Sequence, residues 1–203
     1  MKKALLWLMV FFAVLIWSAI HPKDYFTWFL EVVPALIGLV ILTLTYKKFP
    51  LTPLVYILIL IHSIVLMVGG HYTYAEVPLF DTLKEIFDMG RNNYDKVGHF
   101  MQGFAPAMVT REIVIRQEVI NGTAWRNFFI ICFVLAFSAF YELIEWAVAE
   151  MSGEGADAFL GTQGYMWDTQ SDMAWALFGA ILALMLLSAY HDRELHKKKN
   201  VLE

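Results

Sequence analysis

Acidic and histidine side chains occur in three pairs at helical spacing along this apolar chain. The pairs lie at or just inside the ends of apolar segments and are Asp95/His99, Glu142/Glu145 and Asp168/Asp172. Residues three or four positions apart share one face of a helix. Because an ionisable group is costly inside a membrane, it usually pairs with another charge, binds a metal or takes part in function. The pairs therefore predict a polar site within a bundle of membrane helices.

The composition identifies the class of protein that must carry these residues. The chain has 203 residues, is 59% hydrophobic and has a mean hydropathy of +0.57, which is too apolar for an ordinary soluble domain. A formal net charge of −4 gives no support for nucleic-acid binding. Cys132 is the single cysteine, which excludes an internal disulfide and a thiolate zinc site.

Hydropathy predicts one all-α domain over residues 1–203, an integral membrane bundle of about six transmembrane helices. The spans are expected at about 4–20, 27–46, 52–70, 97–115, 126–149 and 169–190, each close to the ~20 residues that cross a bilayer. The fourth span is the weakest. It contains Gly98, Gln102, Gly103 and Pro106, which suits a helix packed inside the bundle rather than one facing lipid.

Two segments between the spans have patterns of their own. Residues 79–90 have apolar positions on one helical face and charges on the other, which predicts an amphipathic helix. It is expected either on the outer membrane surface or packed over the mouth of the bundle. The glycine-rich segment 153–164 lacks the lysine of a phosphate-binding loop and is expected to form a lid or re-entrant turn.

The distribution of lysine and arginine predicts the orientation. Basic residues are in excess at both termini and in the loops between spans two and three and spans four and five, whereas the loop between spans five and six has none. Both termini are therefore expected in the cytoplasm. This topology brings all three pairs, and His71 at the end of span three, to one level on the outer side. His62 is nine residues from His71, about half a turn out of phase, and is not assigned to the site.

Carboxylates together with imidazoles suit a divalent metal such as Zn, Mn, Fe or Mg. The predicted metal ligands are His99, Glu142, Asp168, Asp172 and His71. Asp95 is expected to orient His99 or to bind the metal itself, and Glu145 to act as general base. Arg91 and Lys96 are expected to meet a phosphate headgroup. The function predicted from these roles is a metal-dependent enzyme that acts on a lipid or lipid-linked envelope molecule.

Other interpretations of the same residues remain open at this stage. Asp95 and Asp168 stand at predicted helix starts, where a carboxylate can simply cap free N–H groups. Buried carboxylates also serve proton- or cation-coupled transporters. A third alternative is a structural or binding protein whose acidic residues are tied into salt bridges. The partners that the sequence indicates are the lipid bilayer and a lipid or lipid-linked substrate.

Three motifs carry a resemblance to a known family. They are Tyr94-Asp95-Lys96-Val97-Gly98-His99-Phe100, Tyr141-Glu142-Leu143-Ile144-Glu145-Trp146, and the segment from Gly161 to Asp172. With them the chain resembles the YjdF-type family of bacterial inner-membrane proteins over nearly its whole length. This resemblance implies a multi-pass protein of the bacterial inner membrane and implies no particular chemistry.

A weaker similarity is to VanZ-like membrane proteins, which also have Asp-Lys-x-x-His at the start of a helix. The later motifs depart from that pattern, because Glu145 stands where a glutamine is expected and Asp172 where an asparagine is expected. This second similarity implies only work in the cell envelope.

Overall fold

The computed structural model describes residues 2–152 and 162–202, and the regular secondary structure of this part is entirely α-helical. The predicted all-α fold is confirmed. The helices are α1 Lys2–Ala19, α2 Tyr25–Thr45, α3 Pro53–Tyr72, α4 Pro78–Ile86, α5 Tyr94–Arg116, α6 Thr123–Ser152 and α7 Asp168–Leu202. Most of the glycine-rich segment 153–164, predicted to be a lid or turn, lies outside the described residues.

Five of the described helices, rather than the predicted six, are long and apolar enough to cross a membrane. They are α1, α2, α3, α6 and α7. The fourth predicted span, 97–115, is helical within α5, but α5 does not meet the same standard of apolarity. Its sequence includes charged residues near both ends, among them Asp95, Lys96, Arg111 and Glu112. Most of the residues of α5 are buried by the other helices, which explains how it can be so polar.

Helix α5 lies at the centre of the bundle and packs against α3, α6 and above all α7. Its apolar stretch, including Met101, Ala105 and Met108, forms one core with residues of these three helices. The outer helices α1, α2, α6 and α7 expose large aliphatic and aromatic side chains. A soluble protein rarely exposes so much apolar surface, whereas lipid-facing helices require it.

Glycines bring α5 and α7 unusually close together. A Cβ atom at Gly103 would overlap the backbone carbonyl of Ala176, and one at Gly179 would overlap the carbonyl of Phe100. Small residues at a helix crossing let the two backbones approach. The crossing fixes the N-terminal turns of α5 and α7 side by side, and these turns carry two of the three pairs.

The segment predicted to form an amphipathic helix over 79–90 contains most of α4, which ends earlier, at Ile86. Leu79, Ile86 and Phe87 are exposed on its outer side. Asn92 attaches the segment to the bundle, because its amide group donates hydrogen bonds to the carbonyl of Val77 at 3.1 Å and to the carboxylate of Asp81 at 2.8 Å.

A buried hydrogen-bond network connects the helices near the C-terminal end of α5. The fully buried Glu112 accepts hydrogen bonds from the Thr52 backbone N at 3.0 Å, the Thr52 hydroxyl at 2.7 Å and Arg116 at 2.9 Å. The His191 ring lies 3.2 Å from its other side. Thr52 is the N-cap residue of α3, but its hydroxyl forms no cap hydrogen bond to the helix and instead donates to the Glu112 carboxylate from α5.

Candidate functional site

The first turns of α5 and α7 bring Asp95, His99 and Asp172 together. His99 Nε2 lies 3.2 Å from an Asp95 oxygen and 3.8 Å from an Asp172 oxygen. One ligand atom from each of the three residues falls within 4.8 Å of the other two, and all three side chains are buried. The spacing of four residues within each helix provides the shared faces, and the glycine crossing places those faces opposite each other.

Helix α6 adds Glu142 and Glu145 from its side of the bundle. Glu142 Oε1 lies 3.7 Å from His99 Nδ1, and the Glu142 carboxylate also accepts a hydrogen bond from Thr169. Glu142 is only 8% exposed, yet Oε1 has no hydrogen-bond partner among the described residues. The fully buried hydroxyl of Ser138, one turn earlier on the same face, likewise has no hydrogen-bond partner among the described residues. Buried polar atoms usually have a hydrogen-bond partner in native proteins, so these two oxygens are suited to accept an additional donor or cation.

Arg91 and Lys96 meet the carboxylates directly. Lys96 Nζ lies 3.0 Å from Asp168 and 2.5 Å from Asp172. Arg91 contacts Asp168 through Nη1 and approaches Asp95 at 3.3 Å through Nη2. The two bases therefore offset part of the negative charge, and Asp168 links them to the rest of the group.

The helix-cap interpretation of Asp95 and Asp168 can now be compared with the contacts. The residue before α5 is Asn93, and its side chain forms no cap hydrogen bond. The carboxylate of Asp95 contacts Arg91, Lys96 and His99, and that of Asp168 contacts Arg91 and Lys96. These contacts are all with cationic or imidazole groups, which favours a place in the site over a role confined to capping.

His71 is not brought to this group. Its Nδ1 lies 3.0 Å from the backbone carbonyl of Ser18, and its ring packs 4.6 Å from that of Trp17 on α1. His62, which the sequence argument left out, lies instead within electrostatic reach of His99. The two histidines are half a turn apart on α3, and it is His62, rather than His71, that lies on the side of His99.

Glu31 is a buried acid that the sequence argument did not assign to the site. It lies on α2, is 4% exposed and is within electrostatic reach of Asp95 and His99. Its carboxylate accepts a hydrogen bond from Tyr74, whose ring packs over Gly69 and Gly98. The signal in the sequence was a lone carboxylate within an apolar span, which is costly unless it has polar neighbours. We define the polar cluster as Glu31, Asp95, His99, Glu142, Glu145, Asp168 and Asp172, together with Arg91 and Lys96.

Comparison with known proteins agrees with the architecture. A family described as "Predicted membrane protein (DUF2238)" matches residues 3–193. The chain is 49% identical over 184 residues to the inner membrane protein YjdF of Escherichia coli (strain K12). The matched residues make up 91% of this chain and 88% of that protein. No solved structure matches the chain significantly. The resemblance to the YjdF-type family and the multi-pass localisation in the bacterial inner membrane are confirmed.

Proposed function

The chain belongs to the DUF2238 family of membrane proteins, and we propose that its polar cluster holds a divalent metal ion and acts on a lipid or lipid-linked molecule at the outer side of the inner membrane. The observation that carries the proposal is the buried group of Asp95, His99 and Asp172, whose ligand atoms lie within 4.8 Å of one another. Both termini lie in the cytoplasm, and α5 crosses the membrane as a sixth span.

The length and surroundings of α5 support this topology. Its 23 residues extend about 34 Å at 1.5 Å per residue, enough for a bilayer core of about 30 Å. The other helices bury four of its five charged residues, Asp95, Lys96, Arg111 and Glu112, so these do not face lipid. Arg111 and Arg116 stand at the end of α5 opposite the polar cluster, which agrees with an excess of positive charge on the cytoplasmic side.

The donor geometry supports a metal ion. Ligand atoms bound at about 2.1 Å to one ion lie roughly 3.0–3.4 Å from each other. The 3.2 Å distance from His99 Nε2 to Asp95 already falls in this range, whereas Asp172, at 3.8 Å, would have to move closer to bind the same ion. Oxygen and imidazole donors suit Zn, Mn, Fe or Mg. The carboxylates of the polar cluster also outnumber its two basic residues, Arg91 and Lys96, and a divalent cation would offset this excess of acidic groups.

The contacts suggest a division of roles. Asp95, His99 and Asp172 are the proposed ligands. Glu142 supports His99 from the Nδ1 side of the ring, and Asp168 holds Arg91 and Lys96 in place. The metal would polarise a substrate oxygen or a bound water. Glu145, buried on the same face of α6 as Glu142, would accept the proton of the attacking water or hydroxyl group. Arg91 and Lys96 would bind the phosphate of the substrate.

Elemental analysis of the purified protein tests the metal site. After repletion with Zn, Mn or Mg and removal of excess ion, the unmutated protein should retain about one metal per chain. His99→Ala and Asp172→Asn should each lose it. Asp192→Asn, an exposed acid at the far end of α7, should retain it and serves as the matched control. Absence of retained metal from the unmutated protein would overturn the proposal.

A second function, a proton- or cation-coupled carrier, is favoured by one observation. Glu31 and His62 extend the polar cluster from α5 towards α2 and α3, inside the apolar bundle. Such a chain of ionisable groups is typical of ion pathways. Proton flux in proteoliposomes, reported by an entrapped pH dye and abolished by Glu142→Gln, would support it. Equal flux in vesicles with and without protein would exclude a proton pathway.

A further inference from the structure

A cleft of about 540 Å³ lies beside the polar cluster and is lined in part by Arg91 and Lys96. Its volume is within the range of small-ligand pockets, about 300–1,000 Å³. Phe80 on α4, Val97 and Phe100 on α5 and Trp175 on α7 supply an apolar lining. One side of the cleft is positively charged, because Arg91 and Lys96 line that side. The cleft is therefore amphipathic, with two cations at one end and aromatic rings along the rest.

Arg91 and Lys96 separate the cleft from the carboxylates. On one side they contact Asp168, and on the other they face the Tyr165 ring, at 5.6 Å from the Arg91 guanidinium and 5.8 Å from Lys96 Nζ to the ring centre. A ligand in the cleft thus meets positive charge before it can meet any acid. Arginine and lysine are the usual partners of phosphate groups.

The apolar part of the cleft continues onto the lipid-facing surface. Trp175 is 40% exposed, and the ring of Phe178, 49% exposed, lies 5.8 Å from Trp175 and 5.9 Å from Phe100. These rings form an aromatic strip that leads from the cleft to the outside of α7. A ligand with a hydrocarbon chain can lie on this strip without leaving the membrane.

We propose that this cleft binds an anionic phospholipid, with the phosphate on Arg91 and Lys96 and an acyl chain along Phe100, Trp175 and Phe178. This inference rests on the proposed function, since it names the substrate class of that site, and it adds the route of entry. The lipid arrives sideways from the outer leaflet, and its phosphate stops beside the proposed metal ligands. A phosphate without an acyl chain would make no contact with the apolar half of the cleft.

Metal binding and lipid binding should reinforce each other. In the structure Lys96 is paired with Asp172 and Asp168. When a divalent cation takes up the charge of Asp95 and Asp172, less negative charge remains to neutralise Lys96. Its attraction for a phosphate then increases, and by reciprocity the bound phosphate raises the affinity for the metal.

Native mass spectrometry of the full chain in detergent tests the proposal with short-chain probes. Dioctanoyl phosphatidic acid should be retained at least tenfold better than dioctanoyl phosphatidylcholine, and inorganic phosphate should not displace it. Ser171→Trp, which fills the cleft and changes no charge, should abolish retention. Gly38→Trp is the control, since it places the same ring in a second cavity lined by α2, α3 and α5.

Equal retention of the two lipids, displacement by inorganic phosphate, or unchanged retention in Ser171→Trp would each overturn the cleft proposal. The metal analysis separates this failure from failure of the proposed function. Protein that retains phosphatidic acid but no metal would contradict the metal site alone. Protein that retains metal but neither lipid would contradict the cleft alone.

Discussion

Gly103 on α5 lies directly against the backbone carbonyl of Ala176 on α7. The atom in the way of any added Cβ is main chain, so no side-chain rotation can make room. The same holds one turn away for Gly179 against the carbonyl of Phe100. The close approach of these two helices is what aligns Asp95 and His99 with Asp168 and Asp172.

Gly103→Ala should therefore destabilise the protein, because the two helices must move apart to accept the methyl group. Overpacking of this kind costs about 1–3 kcal/mol. Thermal unfolding in detergent, followed by loss of the monodisperse peak in size-exclusion chromatography, measures the change. Gly38→Ala is the control, since no atom lies within 4 Å of its added Cβ. An equal melting temperature for the two variants would contradict the tight crossing.

The sequence predicted the parts of this arrangement that depend on local pattern. Hydropathy predicted six spans, of which five match helices apolar enough to cross a membrane, and the four-residue spacing placed Asp95 with His99 and Asp168 with Asp172. What it missed depends on contacts between distant elements. Lys96 reaches Asp172 across 76 positions, and Glu31 and His62 approach His99 from α2 and α3. No local pattern encodes such contacts, because they follow from the way the helices pack.

Glu112→Ala should cost about 3 kcal/mol or more in the free energy of unfolding, because it leaves the start of α3 and two basic side chains without their shared carboxylate. Asp192→Asn removes a partner of Arg111 whose side chain is 47% exposed, and it should cost less than about 1 kcal/mol. The same chromatographic unfolding series compares them. Metal content per folded molecule should stay unchanged in both, since this network lies at the opposite end from the polar cluster. Similar stability in the two variants would show that the buried network contributes little.

Glu142→Gln should lower metal affinity by roughly 10–100-fold, the effect typical of removing a supporting group at a metal site. The amide keeps the size of the side chain, so the fold should be retained. Competition with a chromogenic chelator measures the affinity. Glu150→Gln removes an exposed charge from the same helix and should leave the affinity unchanged. If both variants bound metal as the unmutated protein does, Glu142 would not support the metal site.

The orientation of the bundle can be determined by cysteine labelling, because the chain has one native cysteine, Cys132. On a Cys132→Ala background, Glu85→Cys on the exposed side of α4 should react in intact cells with a maleimide that cannot cross the inner membrane. Lys47→Cys, exposed at the end of α2, should react only after the cells are permeabilised. This pattern follows from the excess of positive charge around Lys47 and would place the polar cluster on the outer side. The reverse pattern would put the cluster at the cytoplasmic face, where the cleft would open to the inner leaflet.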